Sequence, residues 1–354
     1  MTMTQRSPNL IVALALLAGA ALAGCQTVTG SPTTEIEDNQ LAASPANLAS
    51  LSGVVQSNPN DPQAYNMRGS VYGQAGRNDE ALADFNKAIS LDPNYGQAYG
   101  NRGLIYRKTG KLDLALADYN KALSLDPNYA AASLGRGIVY RLKKQPFEAF
   151  KDFNKAVSLN PNYGQAYSNR GLIYRKTGKL DLALADYNKA LTLDPNYAAA
   201  SLGRGIVYRL KKQPFEAFKD FNKAISIRPD NAEAYYNRGL LYQSQKQHQF
   251  AIDDFSTAIG LTQNQAEPYI ARGLSYMAIN DFKAAVGDLD DAVSAEPQNL
   301  QAWTTRAYAY EKLGDKEKAA GSYARALNLN KDHEAAKQGF ARVGGKMGQS
   351  YQTF

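Results

Sequence analysis

Residues 101–128 read NRGLIYRKTGKLDLALADYNKALSLDPN, and residues 135–162 read GRGIVYRLKKQPFEAFKDFNKAVSLNPN. The two stretches align without a gap at an offset of 34 residues. At twice that offset the match is closer. Residues 163–230 repeat residues 95–162 with six differences: Gly100/Ser168, Ser124/Thr192, Val157/Ile225, Leu159/Ile227, Asn160/Arg228 and Asn162/Asp230. A fixed period of about 20–50 residues marks a solenoid, in which each unit buries its apolar face against its neighbours. Such a core grows with every unit, so 354 residues pose no difficulty for one continuous stack.

Outward from this block the register holds from residue 62 to residue 333, giving eight units of 34 residues. A glycine recurs as Gly69, Gly103, Gly137, Gly171, Gly205, Gly239 and Gly273, with Ala307 closing the column. Two alanine columns accompany it, running from Ala81 to Ala319 and from Ala88 to Ala326. Small residues at fixed places let two helices cross closely. Large ones fill beside them: Tyr72, Tyr106, Tyr140, Tyr174, Tyr208, Tyr242, Tyr276 and Tyr310 on the first helix, with Phe85, Tyr119, Phe153, Tyr187, Phe221, Phe255, Leu289 and Tyr323 on the second. A proline after aspartate or a similar residue, as in Asp92-Pro93, stops the second helix. Gly76, Gly110, Gly178 and Gly314 break the chain between helices, while Pro146 and Pro214 start second helices.

The period, the small–aromatic columns and the closing proline together resemble the tetratricopeptide repeat (TPR). The resemblance spans about three quarters of the chain. It implies an all-α fold: a right-handed superhelical solenoid of about eight helix-turn-helix repeats with terminal capping helices, the first helices lining a concave groove. Gln263 and Lys331 depart from the pattern where proline should close a unit. Ser133 and Ser201 stand where the other units carry Tyr65, Tyr99, Tyr167, Tyr235, Tyr269 or Trp303, which predicts looser or differently filled packing.

Leucine is common beside the repeat glycine in this family, but here the residue is always arginine: Arg68, Arg102, Arg136, Arg170, Arg204, Arg238, Arg272 and Arg306. An aspartate column (Asp84, Asp118, Asp152, Asp186, Asp220, Asp254, Asp288) follows on the second helices. An uncompensated charge at the edge of the packed face is expensive, so the two columns read as partners. Their register stays open. Same-unit pairing leaves Arg306 facing Ser322, and pairing between neighbouring units strands Arg68.

A second face of the first helices carries Gln97, Leu104, Arg107 and Lys108 in the second unit, and Leu134, Ile138 and Arg141 in the third. The duplicated units carry Leu172, Arg175, Lys176, Leu202, Ile206 and Arg209 there. In tetratricopeptide repeats the matching face lines the groove, so the resemblance implies a basic strip over apolar ground. Arginine takes a carboxylate with two parallel hydrogen bonds, which suits an acidic or C-terminal peptide segment of a partner. Cations near a helix C-terminus also offset the helix dipole without any ligand. An anionic glycan is the alternative ligand for the strip.

The N-terminus has an uncharged run, LIVALALLAGAALA at residues 10–23, after Arg6. It is too short for a comfortable transmembrane span and fits a signal peptide. Leu22-Ala23-Gly24-Cys25 resembles the lipobox of bacterial lipoproteins, which implies cleavage before Cys25 and its acylation. An ordinary signal peptide with an incidental cysteine is the competing reading; the chain's only cysteine falling there favours lipidation. Gln26, where an aspartate is absent, favours the outer membrane by the same resemblance. The expected organisation is a signal peptide (1–24), a Ser/Thr/Pro-rich tether (25–47), an N-terminal capping helix (48–61), eight repeats (62–333), and a C-terminal capping helix with a mobile tail (334–354).

The net charge of +7 and pI of about 9.1 permit anionic partners without pointing to nucleic acid. One cysteine excludes a disulfide within the chain, and with two histidines no metal site or cofactor is expected. The KTG triplets at Lys108 and Lys176 lack any Ser-x-x-Lys to supply a nucleophile, and no other enzymatic constellation is found. The sequence therefore predicts a non-enzymatic, lipid-anchored scaffold facing the periplasm, whose partners are envelope proteins.

Overall fold

The computed structural model describes residues 44–262, 265–346 and 348–351. The signal peptide, Cys25 and most of the expected tether lie outside the described residues. Among the described residues there are eighteen α-helices and no strand. None is long and apolar enough to cross a membrane.

Helix α1 (Pro45–Ser57) starts three residues earlier than the capping helix read from the sequence, because Ser44 accepts a hydrogen bond from the Asn47 amide at 3.2 Å and Pro45 occupies the first turn. Eight pairs follow. They are α2 (Pro62–Gln74) with α3 (Asn78–Leu91), α4 (Gly96–Lys108) with α5 (Leu112–Leu125), and α6 (Ala130–Leu142) with α7 (Pro146–Leu159). The duplicated block holds α8 (Gly164–Lys176) with α9 (Leu180–Leu193), and α10 (Ala198–Leu210) with α11 (Pro214–Ile227). Then come α12 (Ala232–Ser244) with α13 (His248–Leu261), α14 (Ala266–Ala278) with α15 (Phe282–Ala295), and α16 (Leu300–Leu313) with α17 (Lys316–Leu329). Helix α18 (Glu334–Arg342) covers the last pair.

The turns between pairs are built by side chains. In Asp92-Pro93-Asn94 the aspartate accepts from the Asn94 amide at 2.9 Å while proline halts the helix, and Asp126 and Asp194 repeat the device at 2.8 Å. Within each pair, one left-handed residue reverses the chain. The column runs Gly76, Gly110, Lys144, Gly178, Lys212, Lys246, Asn280, Gly314, with φ between +58° and +84°. Only four of the eight are glycine. A lysine pays a steric penalty of about 1 kcal/mol in this conformation. Lys144→Gly and Lys212→Gly should therefore each stabilise the chain by about 0.5 kcal/mol, partly offset by the freer unfolded backbone; paired denaturant curves against wild type check this.

The alanine columns are fully enclosed where the two helices of a pair cross; Ala115, Ala149, Ala183 and Ala217 are among their members with no exposed surface. Buried rings of the second helices, or Leu289 in α15, complete each layer, and successive layers join through the next first helix, as Phe153 does with Ala166 and Ile173. Consecutive first helices touch (α2–α4, α4–α6, α8–α10, α10–α12, α12–α14, α14–α16), whereas consecutive second helices make no comparable contact. The first helices therefore occupy the inner, crowded side of the stack. At the C-terminal end, Phe340 of α18 packs on the last pair, and Tyr351 folds back edge-on against Phe340 at 5.8 Å. Part of the segment expected to be a mobile tail is thus tied to the cap.

Candidate functional site

The arginine column is structural. Seven of the eight arginines, Arg68 to Arg272, grip the aspartate sixteen residues later, on the second helix of their own unit, which closes the question of register. Arg170 places Nε 2.8 Å from Asp186 Oδ2 and Nη2 2.7 Å from Asp186 Oδ1. Its remaining nitrogen, Nη1, donates to Asn154 Oδ1 on the preceding second helix at 3.0 Å. Arg102, Arg136, Arg204 and Arg238 reach Asn86, Asn120, Asn188 and Asn222 in the same way, and Arg272 reaches Ser256. One guanidinium thus ties three helices of two units. The asparagine column was missed in the sequence. Its signal lay in the last unit, where Arg306 takes its carboxylate from Asp290, in the asparagine column, at 2.6 Å, and a neutral partner from Ser322 at 2.7 Å. Charged and neutral partners have changed places together. The bond to aspartate holds the pKa of Arg68, Arg102, Arg136, Arg170, Arg204, Arg238 and Arg272 above the ordinary value, against the opposing effect of burial.

The second face divides into two sets. Arg107, Arg141, Arg175 and Arg209 form a half-buried row at the ends of α4, α6, α8 and α10, with Lys108, Lys176 and Gln97 exposed and Leu172 half-buried. Leu104, Leu134, Ile138, Leu202 and Ile206 are not the groove surface the sequence predicts; they are between 0 and 7 % exposed. Leu134 and Ile138 join Phe153, Ala166 and Ile173, while Leu202 and Ile206 join Phe221, Ala234 and Leu241. Crowding of the first helices on the inner side has turned this column into the seam between units.

The guanidinium row has no carboxylates built in at two of its places. Burial, then the charge of Arg107, holds the pKa of Arg141 below its ordinary value. Burial does the same at Arg209, opposed by Tyr236 and reinforced by Arg175. Both groups remain charged. Among the described residues no carboxylate pairs with either, and their Nε atoms are buried without a hydrogen bond. Arg209 reaches only Asn237 Oδ1, at 3.3 Å. Arg175 shares the buried Nε without a hydrogen bond, but its charge acts on the hydroxyl of Tyr187, whose pKa burial pushes up to about 12 against the lowering effect of that arginine.

Beyond α10 the surface changes sign. A hollow of 600 Å³ is lined by Glu233, Glu267, Glu296 and Tyr236, with Glu233 in the column of Gln97. No group of three or more His, Cys, Asp or Glu among the described residues could hold a metal ion. His248 is half-buried at the start of α13, and His333 caps α18 by accepting from the Ala336 amide at 3.3 Å.

The tetratricopeptide-repeat model matches residues 62–95, 96–129, 164–197 and 232–264; two further models of this repeat match residues 215–246 and 270–337. Together they cover more than half of the chain, which belongs to the tetratricopeptide-repeat family. No curated protein matches it. Among solved structures it is similar to a chain of the APC/C hetero-tetramer Cut9–Hcn1, with 18 % identity and a TM-score of 0.62 over 84 % of this chain and 58 % of that one. This chain therefore spans less than two thirds of that structure's length. It is also similar to pilF of Pseudomonas aeruginosa (19 %, TM-score 0.53, 60 % of this chain and 97 % of that). A tetratricopeptide-repeat protein of Parabacteroides merdae matches at 19 % and TM-score 0.51, over 71 % of this chain and 99 % of that. These likenesses are of fold. The fold is that of a protein-interaction scaffold, and proteins built from this repeat are generally non-enzymatic.

Proposed function

We propose that the protein is a membrane-anchored adaptor of the bacterial cell envelope, held by acylated Cys25 on the outer membrane and facing the periplasm. It captures acidic or C-terminal segments of envelope proteins on the guanidinium row. The observation that carries this reading is the contrast between two arginine columns. Seven spine arginines have their own aspartates, whereas Arg141 and Arg209 are charged, half-buried and without a carboxylate. A ligand carboxylate would meet a donor already stripped of much of its water, so the bond gains more than at a surface lysine. The acidic hollow beyond Arg209 gives the bound segment a direction, with its cationic or neutral part toward Glu233 and Glu267. Two or more acyl chains at Cys25 would hold the protein durably, since each buried CH₂ contributes about 0.8 kcal/mol.

Crosslinking from membranes tests this. Arg141→Glu/Arg209→Glu should cut partner yield at least tenfold while helical content is retained, and Cys25→Ala should release the protein from the membrane fraction. Retention of every partner with loss of sedimentation on cell-wall material would replace the peptide by an anionic glycan.

A further inference from the structure

Every phenylalanine that stands exposed among the described residues lies at one edge of the stack, where a first helix turns into its second. Phe147 and Phe215 are 77 and 78 % exposed in the first turns of α7 and α11. Phe250 is 58 % exposed in the first turn of α13, with one face on Tyr242 at 5.3 Å. These turns stand side by side. Lys143 reaches Asp113 of the preceding unit at 2.6 Å, and Phe150 meets Tyr174 of the following one at 5.3 Å. Lys211 and Asp181, and then Phe218 and Tyr242, continue the file. One exposed apolar residue needs no explanation, but a file of them on a single edge does.

The same turns are basic. Lys111, Lys144, Lys179, Lys212 and Lys246 are exposed in them. Of the carboxylates there between α4 and α13, Asp113 and Asp181 are already bonded by Lys143 and Lys211, which leaves Glu148 and Glu216. The opposite edge has the other sign, since Asp92, Asp126 and Asp194 build its turns. Backbone strain marks the basic edge again. Lys144, Lys212 and Lys246 are held at φ of +58° to +61°, where Gly110 and Gly178 stand in other units. They occupy the three turns that carry the exposed phenylalanines. Strained residues persist where the surface they serve needs them, and the pair recurs at Lys246 and Phe250, outside the duplicated block.

We propose that this edge lies on a bilayer with anionic headgroups, its lysines at the level of the phosphates and Phe147 and Phe215 dipping below them. A protein partner would have to supply the whole pocket for rings this exposed, whereas lipid closes around any shape. Lysine, a flexible point charge on an apolar stem, suits headgroups that are themselves mobile. The edge built by Asp92, Asp126 and Asp194 then faces away from the membrane. The contact uses neither Cys25 nor the guanidinium row, so it stands apart from the reading above.

The test uses the full chain with vesicles of phosphatidylglycerol and phosphatidylcholine, against phosphatidylcholine alone, both with brominated acyl chains that quench tryptophan. Trp303 is 2 % exposed, so quenching in the unaltered chain should be slight. Phe147→Trp should be quenched strongly at the anionic vesicles and weakly at the neutral ones. Asn128→Trp, on the opposite edge, should be quenched at neither. Adding Lys144→Gly/Lys212→Gly to Phe147→Trp should raise the lipid concentration for half-quenching by about fivefold per lysine while the chain gains stability, so unfolding does not imitate the result. Arg141→Gln/Arg209→Gln should leave the quenching unchanged, as should Cys25→Ala with anionic vesicles in excess. No quenching of Phe147→Trp, equal quenching at neutral vesicles or of Asn128→Trp, or its loss in the Arg141/Arg209 or Cys25 variant would overturn the assignment. A photoreactive residue at position 147 that crosslinks to a protein in cells, and not to lipid, would overturn it in favour of a protein partner.

Discussion

Asp186→Ser should lower the free energy of unfolding by about 3 kcal/mol, and adding Asn154→Asp should restore most of that loss. The Asp186 side chain is 6 % exposed and accepts two hydrogen bonds from Arg170, itself 18 % exposed. Removing the carboxylate leaves a cation caught between Tyr167 and Tyr174 with only the neutral Asn154 to meet it. The rings attract it, but they do not replace the charge-assisted pair. The contrast is Asp113→Ala: that carboxylate is 89 % exposed beside Lys143, and its loss should cost no more than about 0.5 kcal/mol.

The repair is the sharper half of the prediction. Asn154→Asp with Asp186→Ser gives Arg170 the arrangement Arg306 already has, a carboxylate sixteen residues before it and a serine sixteen residues after. If denaturant curves show no recovery, the transposition in the last unit is not compensation and needs another cause. Because solenoid stability sums unit and interface terms, the single variant should also broaden the transition, as the stack parts between α7 and α8.

The fold was legible because period and packing are the same fact in a solenoid: a column of small residues is a helix crossing, read eight times. The spine was half legible. A column has no direction, so Arg and Asp could be matched as partners without knowing which unit each came from. The joint change at Asp290 and Ser322 held the answer, but only an arginine that forks across three helices makes those two positions related. Leu134, Ile138, Leu202 and Ile206 were misplaced for a different reason. A helical wheel gives an angle and says nothing of how close the next helix stands, and here the first helices touch one another. Lys144, Lys212 and Lys246 hid the left-handed turn column, because lysine carries no turn signal of its own.

Gly203→Asn should destabilise the chain by about 3 kcal/mol, the upper part of the usual range for overpacking, and Tyr187→Phe should recover most of it. A Cβ at residue 203 would stand 2.4 Å from the Tyr187 ring and 2.7 Å from its hydroxyl, and that ring is 1 % exposed with no room to retreat. Gly135 meets Tyr119, and Gly339 meets Tyr323, at the same sixteen-residue spacing. Where the second helix carries Phe85, Phe153 or Phe221, the residue sixteen further on is Asn101, Asn169 or Asn237. Those phenylalanines lean on their own unit instead, 2.6–2.9 Å from a Cβ at Gly69, Gly137 and Gly205, whereas Tyr187 keeps 3.3 Å from one at Gly171. The tyrosine tips toward the next unit because its hydroxyl goes to the inner face and Arg175, as that of Tyr323 goes to Glu311 at 2.8 Å. Without the hydroxyl the ring can take the phenylalanine pose and make room for asparagine. A double-mutant cycle with no coupling would show that the tilt has another origin. On the adaptor reading the repaired variant also leaves Arg175 without its tyrosine partner, alongside Arg141 and Arg209, so capture of acidic segments should strengthen even though the stack is no more stable than before.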